Sequence, residues 1–398
     1  METADIGIVG GGVIGTAVAY YLSKRRIRVV LLEEGTIGSG ASGACGGFLF
    51  LQSKKPGVHL QLAMESMRLY KELSEELRAD LEFRRNGGLI LIEREMEGPI
   101  MEVFARQQSA LGLDVRLIGR EEVLRMEPRL DGIHLGATFS PADGQVNPLK
   151  LTMAFAAAAR RNGAEIRPGR PVMHTDREQG GYAIHSTRET VSVGKVVIAA
   201  GVGSNAVVAP FGIRLPIRPR RGQMMVTEPM PRLIHRVVLS ACYITTKYCQ
   251  SESSEHSADR VRSAPSDLGV GLALEQTDNG NLLVGSTREF VGFDRTTTPE
   301  GLHAVARCGL RVMPLLKRIY VIRSFAGLRP WTPDGLPFLG ELPGHEGIFL
   351  AAGHEGDGIM LAPITGKIMA EMIVDGKPSV ELTDVRVDRM GPMWRAEE

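Results

Sequence analysis

The chain has 398 residues, more than one hydrophobic core usually contains, so we expect two domains. Hydrophobic residues account for 43% and charged residues for 23%, as in ordinary globular proteins, and the 47 glycines predict many tight turns around a ligand. A formal net charge of +1 argues against nucleic-acid partners and against an acidic, solvating composition.

The sequence also predicts where the protein is found. No apolar run reaches the about 18 residues typical of a membrane-spanning helix, so we expect no transmembrane segment. The N-terminus has no basic region ahead of the first predicted strand, so we expect no secretory segment and a cytoplasmic protein. Attachment to a membrane through partner subunits stays open.

The first part of the chain carries a dinucleotide-binding pattern. An apolar run ends in Gly10-x-Gly12-x-x-Gly15, a helical pattern continues to about Lys24, and a second apolar run closes on Glu33. Gly10 permits a tight turn, Gly12 lets the backbone approach a pyrophosphate, and Gly15 lets helix and strand pack closely. Glu33 is placed to accept hydrogen bonds from a ribose. NAD and FAD both fit this βαβ unit, whose predicted cofactor-binding residues are Gly10, Gly12, Val13, Ile14, Gly15, Glu33 and Glu34.

A loop of small residues follows at positions 35–47. Its place directly after the ribose-binding acid favours backbone that lies flat against a ligand, with hydroxyls near phosphates and glycines under a flat ring. The predicted cofactor contacts here are Ser39, Gly40, Ala41, Ser42, Gly46 and Gly47. Cys45 lies in the same loop, and we interpret it as a small neutral filler.

The four cysteines indicate no metal site. Cys242 and Cys249, with His256 further on, match no common zinc or iron–sulfur spacing. Together with Cys45 and Cys308 they are interpreted as reduced thiols, and no metal is expected.

The next segment opens a second domain. We predict an amphipathic helix at residues 59–82, a strand pair at 83–92 broken by two glycines, and helices at 97–112 and 120–127.

The chain then returns to the first domain. Turn-rich residues 141–148 precede a predicted helix at 149–162, a strand at 165–167, a strand around Val172 and a hairpin through residues 180–181. The apolar run at 195–201 is predicted to be a buried strand that ends at Ala200 and Gly201. Ligands bind at this end of strands in open α/β sheets.

Strand patterns dominate residues 216–321. Strands are predicted at 222–227, 237–244, 270–274 and 282–286, and a helix at 299–312. Residues 250–266 are polar and Ser-rich, and are interpreted as an exposed insertion. Arg218, Arg220 and Arg221 form a basic patch that we interpret as a solvated strand face, with a partner or substrate role as the alternative.

The last part repeats the order of strand, glycine-rich turn and helix. An apolar run at 348–352 leads into the turn, and a helix is predicted from about 360 to 374. A second helix N-terminus is therefore aimed at the same ligand. The predicted contacts are Gly353, His354, Gly356, Asp357, Gly358 and Ile359.

These motifs resemble those of the glycine oxidase and D-amino acid oxidase superfamily of FAD-dependent amine oxidoreductases. They occur in the same order and span almost the whole chain. The residues that carry the resemblance are the glycine motif, Glu33, residues 38–43, Asp143 to Val146, Ala199 to Gly201, residues 327–335 and residues 353–358. The resemblance implies an α/β fold in which a Rossmann-like FAD-binding domain with a parallel sheet is interleaved with an α+β substrate domain. The FAD-binding domain would comprise residues 1–82, 141–215 and 322–378. The substrate domain, with a mixed or antiparallel sheet, would comprise residues 83–140 and 216–321, including the insertion 250–266. Residues 379–398 would form a separate C-terminal tail.

The resemblance also implies roles for single residues. Val172 falls where the family holds the adenine, and Arg329 matches the arginine that binds the substrate carboxylate, to which a guanidinium offers a two-pronged fork. Tyr243 and Tyr248 are candidates to hold a carboxylate or amine, and His354 is either a base or a hydrogen-bonded neighbour of the cofactor. The attachment cysteine of some relatives has no counterpart in residues 327–331, so FAD is expected to be noncovalent.

The activity that the resemblance implies is oxidation of a small amino or imino acid, of the D-amino acid, D-hydroxyproline, proline, glycine or sarcosine type. Hydride passes from the substrate α carbon to flavin N5 and leaves an imine. Residues 241–248 and the insertion look more like flavoprotein subunits of D-hydroxyproline, proline or opine dehydrogenases than like the short oxidases. We therefore expect a dehydrogenase, with electron-transfer partner subunits and oligomer formation as open questions.

Three alternatives stay open at this point. An oxidase of the same class would pass the electrons to oxygen and make hydrogen peroxide. A non-catalytic electron-relay subunit would not need the carboxylate fork of Arg329. An NAD dehydrogenase is disfavoured, because the second glycine-rich helix start suits a buried flavin better.

Overall fold

The computed structural model describes residues 2–244 and 268–391, which form two eight-stranded sheets and one two-stranded ladder. The strands are β1 (Glu2–Val9), β2 (Val29–Glu33), β3 (Phe48–Leu49), β4 (Gly88–Ile92), β5 (Arg116–Gly119), β6 (Gly136–Ser140), β7 (Gly144–Gln145), β8 (Glu165–Pro168), β9 (Val172–Glu178), β10 (Gly181–Ser186), β11 (Thr190–Ile198), β12 (Arg218–Pro229), β13 (Val237–Ser240), β14 (Ala273–Gln276), β15 (Asn281–Gly285), β16 (Val321–Trp331), β17 (Phe338–Glu341) and β18 (Ile348–Ala352). The helices are α1 (Val13–Lys24), α2 (Val58–Leu77), α3 (Glu97–Ala110), α4 (Arg120–Met126), α5 (Pro148–Arg161), α6 (Ser204–Val208), α7 (Pro299–Val312) and α8 (Gly358–Asp375).

The first sheet has the strand order β17-β18-β11-β1-β2-β8. Strand β1 pairs in parallel with β2 and β11, and β8 and β18 extend the parallel part, whereas β17 adds an antiparallel edge. Every residue of β2 is buried, as expected for a parallel strand covered on both faces. The β9–β10 hairpin joins this sheet through β11.

Three helices pack together on one face of this sheet. Helix α1 lies between α5 and α8. Gly366 of α8 allows close approach, because a Cβ atom there would lie 2.8 Å from the carbonyl carbon of Ala17 in α1. Helix α5 begins where the sequence predicts, since Pro148 occupies its first turn and the Asn147 side chain accepts a hydrogen bond from the Lys150 N–H.

The second sheet has the order β16-β12-β15-β14-β13-β4-β6-β5. All its pairs are antiparallel except β4 with β13, so it is the mixed sheet expected from the sequence, and the expected fold class is confirmed. Strand β16 pairs with β12 from Arg218 opposite Trp331 to Thr227 opposite Val321. Residues 322–331, which the domain division inferred from the sequence assigns to the FAD-binding part, therefore lie in this second sheet.

Several elements differ from their predicted extents. The predicted strand at 237–244 ends at Ser240, and residues 242–244 form a helical turn instead. The helix predicted for 59–82 ends at Leu77, because Arg78 has a left-handed φ of 49°. The predicted strand pair at 83–92 is one strand, β4, preceded by an isolated bridge between Arg84 and Gln145.

The insertion predicted for 250–266, and with it Tyr248, Cys249 and His256, lies outside the described residues. Within the described residues, none of the helices combines the length and apolar composition that crossing a bilayer requires.

Candidate active site

A cavity of about 840 Å³ lies between the two sheets. One wall is made by the carboxyl ends of β1, β2, β11 and β18 and by the first residues of α1 and α8. The opposite wall comes from strands of the second sheet, including Met224, Ala273 and Arg329. Ligands of open α/β sheets bind at this end of the strands, where two helix N-termini also present backbone N–H groups.

The glycine motif builds the closest approach between β1, α1 and β11. Gly10 has a φ of +112°, and a Cβ atom on it would lie 2.5 Å from the Ala199 carbonyl oxygen. A Cβ atom on Gly15 would lie 1.9 Å from the Gly10 carbonyl oxygen. Gly10 and Gly12 line the cavity with Val13 and Ile14, whereas Gly15 does not. Gly15 therefore serves the packing of helix on strand, as its predicted role requires.

Glu33 lies at the end of β2 with its carboxylate held by backbone. Its Oε2 accepts a hydrogen bond of 2.6 Å from the Gly11 N–H, and its Oε1 one of 2.8 Å from the Gly35 N–H. The residue is only 9% exposed and lines the cavity beside the exposed Glu34. The carboxylate is thus fixed in orientation beside the glycine motif.

Most of the small-residue loop also faces the cavity. Ser39, Gly40, Ala41, Ser42 and Gly46 line it, and the Ser42 Oγ accepts a hydrogen bond of 2.9 Å from the Val13 N–H at the start of α1.

The predicted cofactor contact of Gly47 is not supported, because Gly47 does not line the cavity. Its N–H donates to the buried Glu275 carboxylate at 2.8 Å, and a Cβ atom on it would lie 1.8 Å from the Val146 carbonyl oxygen. Burial raises the pKa of Glu275 to about 7, against the opposing effect of the Gly47 N–H. Gly47 therefore fastens the loop to β14.

Two further predicted segments complete the first wall. Val172 lines the cavity at the start of β9, and Ala200 and Gly201 line it just beyond β11. Arg170 lines the cavity next to Val172 and donates a hydrogen bond of 2.6 Å to Glu189, although the sequence pattern does not mark it.

The turn before α8 brings Gly353, His354, Gly356, Asp357, Gly358 and Ile359 to the cavity, as predicted. His354 is 3% exposed, and its Nε2 lies 3.0 Å from the Thr365 Oγ1. Burial lowers the pKa of His354 to about 3, with a small opposing effect of Asp357. The imidazole is therefore neutral and engaged with its own helix, an arrangement that favours the reading of a hydrogen-bonded neighbour over that of a base.

A buried ion pair at the start of α8 is marked by no sequence motif. Lys54 Nζ lies 2.6 Å from Asp357 Oδ1, and His59 Nε2 lies 3.1 Å from Asp357 Oδ2. Lys54 is held there because the preceding residues Leu51 and Gln52 are fastened to Asp143, whose Oδ1 accepts the Leu51 N–H at 2.6 Å. The segment containing Asp143, part of the family resemblance, thereby positions a cation on the cavity wall.

Arg329 enters the cavity from β16. Its Nη1 donates to the Thr287 carbonyl oxygen at 3.1 Å and its Nη2 to the Ser286 Oγ at 2.7 Å. A Cβ atom on Gly222 of β12 would lie 2.4 Å from Nη1, so glycine at this position leaves the room that the guanidinium occupies. Among the described residues, Arg329 has no carboxylate partner within ion-pair distance, and its charge is available to a ligand.

Tyr243 lies beside Arg329 because the chain turns after β13. Its hydroxyl is 3.3 Å from the Ser286 Oγ, and the Arg288 guanidinium carbon lies 3.3 Å from the centre of its ring. Desolvation alone would raise the pKa of Tyr243, but Arg288 and Arg329 outweigh it and lower the pKa to about 7. The two predicted residues are therefore brought together around Ser286.

The basic patch does not form the solvated strand face that the sequence predicts. Arg221 is 3% exposed and pairs with Glu289 at 2.8 Å, and Arg220 forms an ion pair with Glu355 on the cavity wall. Only Arg218 is exposed. The patch is largely buried because acidic partners from other segments neutralise it.

The remaining wall is apolar and includes a thiol. Its side chains come from the second sheet and the loop before α2, namely Phe48, Phe50, Met224, Leu239, Ile244 and Ala273. Cys45 also lines the cavity, and desolvation raises the pKa of its thiol to about 12, which agrees with a neutral filler.

The two walls together fit FAD. A glycine-lined strand-to-helix turn, a fixed acid at the end of β2 and a second helix N-terminus surround one elongated cavity. The residues that would hold the cofactor belong to the first wall, and Arg329 and Tyr243 stand on the other.

Comparison with known proteins agrees with this site. The family model described as FAD dependent oxidoreductase, abbreviated DAO, matches residues 5–372, so the chain belongs to this family. The protein is therefore an FAD-dependent oxidoreductase.

Relatives match over nearly the whole chain. Glycine oxidase of Geobacillus kaustophilus (strain HTA426) is 33% identical over 395 residues, covering 97% of this chain and 97% of that protein. Hydrogen cyanide synthase subunit HcnC of Pseudomonas aeruginosa is 30% identical over 437 residues, covering 98% and 97%.

Solved structures share the fold. A crystal structure of glycine oxidase from Geobacillus kaustophilus has a TM-score of 0.86 at 30% identity and covers 98% of this chain and 99% of that chain. A crystal structure of L-proline dehydrogenase from P. horikoshii has a TM-score of 0.86 at 27% identity and covers 98% of each chain.

Proposed function

We propose that this protein oxidises a small amino or imino acid whose carboxylate is bound by Arg329. The observation that carries the proposal is the placement of this guanidinium on the cavity wall, with neutral oxygens as its hydrogen-bond acceptors. A planar guanidinium binds a carboxylate through two parallel hydrogen bonds, and the family resemblance favours an amino or imino acid as the source of that carboxylate.

The residues around Arg329 would orient the substrate. Ser286 holds both the guanidinium of Arg329 and the hydroxyl of Tyr243, so a carboxylate between them would have donors on two sides. The apolar side chains Phe48, Phe50 and Leu239 exclude water from this part of the cavity. When bound, FAD supplies the hydride acceptor for the substrate α carbon.

The turn before α8, where Gly356 packs against the Arg329 side chain, would contribute to the electrostatic field at the same end of the cavity. The N-terminus of α8 carries a partial positive charge, and Lys54 adds a full charge that Asp357 balances. His354 is neutral, so in this mechanism it holds the turn in place through Thr365.

The electron acceptor is the second part of the proposal. A dehydrogenase, with a protein or dye as acceptor, is the expectation from residues 241–248, and the similarity to the structure titled L-proline dehydrogenase supports it. The relative named a hydrogen cyanide synthase subunit supports a chain that works with other subunits. Oxygen is the second candidate, favoured by the similarity to proteins named glycine oxidase.

Anaerobic mixing of the FAD-loaded protein with glycine, sarcosine, D-proline, D-hydroxyproline and D-alanine tests both parts. Loss of the oxidised flavin absorbance with at least one of them is expected. If air restores the absorbance slowly and an artificial dye rapidly, the protein is a dehydrogenase. Rapid restoration by air with hydrogen peroxide formed makes it an oxidase. No reduction by any of these or other amino or imino acids would overturn the proposal.

A further inference from the structure

The β9–β10 hairpin places three side chains with metal-ligating chemistry on one face. His174 and Asp176 are two residues apart in β9, so both point to the same side of the strand. His185 of β10 stands directly opposite His174 in the antiparallel register. The three residues belong to an edge of the first sheet, and none of them lines the cavity described above.

The ligand atoms of these side chains converge. The Nε2 atoms of His174 and His185 lie 3.4 Å and 3.2 Å from the same oxygen, Oδ2 of Asp176. One ligand atom from each residue falls within 4.8 Å of the other two. A tetrahedral Zn²⁺ with ligands at about 2.0–2.2 Å places its ligand atoms roughly 3.4 Å apart, a spacing that the two nitrogen–oxygen distances to Asp176 already approach.

The two imidazoles lie face to face, so at least one ring turns out of the stack when both Nε2 atoms bind one ion. Their rings stack with centres 4.3 Å apart and planes 13° from parallel. The Thr190 Oγ1 lies 3.0 Å from Nδ1 of His185, which leaves Nε2 of that ring for the cluster. Metal-binding histidines commonly use the second ring nitrogen for such an outer hydrogen bond, because it fixes the ring.

The charge and exposure of the cluster also suit a cation. Among the described residues, Asp176 pairs with these two histidines and with no lysine or arginine. The side chains are 49% exposed at His174, 62% at Asp176 and 30% at His185, so an ion can enter and keep water on its remaining positions. Two imidazoles and one carboxylate select late first-row divalent ions over Mg²⁺ and Ca²⁺, which prefer oxygen ligands.

We propose that His174, Asp176 and His185 bind a late first-row divalent metal ion, with Zn²⁺ and Ni²⁺ as the ions to be tested. The ion would cross-link β9 to β10 on the outer side of the hairpin. This site is independent of Arg329 and of the amino acid chemistry, because no residue is shared.

Titration calorimetry of the untagged, FAD-loaded protein with Zn²⁺, after treatment with a chelator, tests the proposal, and Ni²⁺ is titrated in parallel. We expect one ion per chain at this site. His185→Ala should weaken binding by about 100-fold or more, and Thr190→Val, which leaves all three ligands, by about 10-fold. The matched control is His303→Ala, which removes an exposed histidine of α7 and should leave the affinity unchanged.

Asp176→Asn provides a second variant that keeps the shape of an exposed side chain and so does not depend on the folding of His185→Ala. It should weaken Zn²⁺ binding by about 10-fold or more, while FAD content and the thermal unfolding midpoint without metal stay at their wild-type values. Absence of saturable binding by the wild-type protein would overturn the proposal. Equal affinity of the wild type, His185→Ala and Asp176→Asn would overturn it as well, because the ion would then be bound elsewhere.

Discussion

The two ends of the cavity are built in different ways. At the glycine motif, residues close together in sequence line the cavity, and their side chains are mostly absent or small. At Arg329, the wall is made of charged, aromatic and hydroxyl side chains from segments far apart in the chain, such as Tyr243 and Ser286. Gly10 and Gly15 at the first end tolerate no added Cβ atom, whereas the second end presents the Arg329 guanidinium, which has no carboxylate partner among the described residues. We therefore expect substitutions at the glycine motif to act through steric clash, and a substitution at Arg329 to act through the loss of one charge.

Gly15→Ala should produce the largest effect, at the glycine end. The new Cβ would lie 1.9 Å from the Gly10 carbonyl oxygen, so strand and helix must separate. We expect the free energy of unfolding to fall by more than about 3 kcal/mol and FAD to be lost on purification. FAD content and denaturant unfolding measure this. Gly98→Ala is the control, because a Cβ there meets nothing within 4 Å. Wild-type FAD content in Gly15→Ala would contradict the assigned packing role.

Arg329→Ala should produce the next largest effect, at the charged end. Loss of the guanidinium should lower kcat/KM for a carboxylate substrate by about 100- to 1000-fold, while FAD content stays unchanged. Arg329→Lys should recover only part of the loss, since an ammonium group lacks the planar fork. Steady-state kinetics and flavin absorbance provide the measurements. Arg218→Ala, at an exposed arginine of β12, is the control. An unchanged kcat/KM in Arg329→Ala would remove the substrate assignment.

Glu33→Gln should have a smaller effect, and it tests whether the glycine end also uses charge. One amide oxygen cannot accept both the Gly11 and the Gly35 N–H as the carboxylate does. We expect the Kd for FAD to rise by about tenfold, as for a lost hydrogen bond to a charged group. Fluorescence titration of the FAD-free protein measures this Kd. Glu34→Gln is the matched control at the exposed neighbour, and a larger effect there would move the ribose contact to Glu34.

Tyr243→Phe should have the smallest effect, about threefold to tenfold in kcat/KM at pH 6, since one hydroxyl is lost. Arg288 and Arg329 outweigh desolvation and lower the pKa of Tyr243 to about 7. Above this pH the phenolate would repel a substrate carboxylate, so kcat/KM of the wild-type protein should fall as the pH rises through 7. The Phe variant should lack this step, and Tyr320→Phe, at a residue 77% exposed, should retain it. A step that persists in Tyr243→Phe would assign it to another group.

Much of the glycine end was predictable because its residues are adjacent in sequence. Gly10, Glu33 and Ser42 each lie at the end of a recognisable element, and the turn chemistry of that element fixes where the backbone points. Gly47 shows the limit of this reasoning. It belongs to the same run of small residues, yet its contact is Glu275, which is 228 positions away in the chain. Composition alone does not distinguish a glycine that faces the ligand from one that faces a neighbouring strand.

The charged end was predictable only at Arg329 and Tyr243, and there through family resemblance. Lys54 and Asp357 are 303 positions apart, so no local pattern marks them as an ion pair. The same holds for Arg220, which was interpreted as solvated although Glu355 reaches it from the turn before α8. The burial of a charge depends on what packs over it, and long-range packing has no periodic signature in the chain.

The sequence by itself predicted the βαβ unit, because hydrophobic periodicity and glycine turns act locally, and the resemblance of its motifs indicated the FAD-dependent family. The tertiary structure alone decided which charges meet across the cavity, how Tyr243 turns toward Arg288, and where His174 and His185 face each other. These relations depend on strand register and loop direction, which bring together side chains that are distant in the sequence.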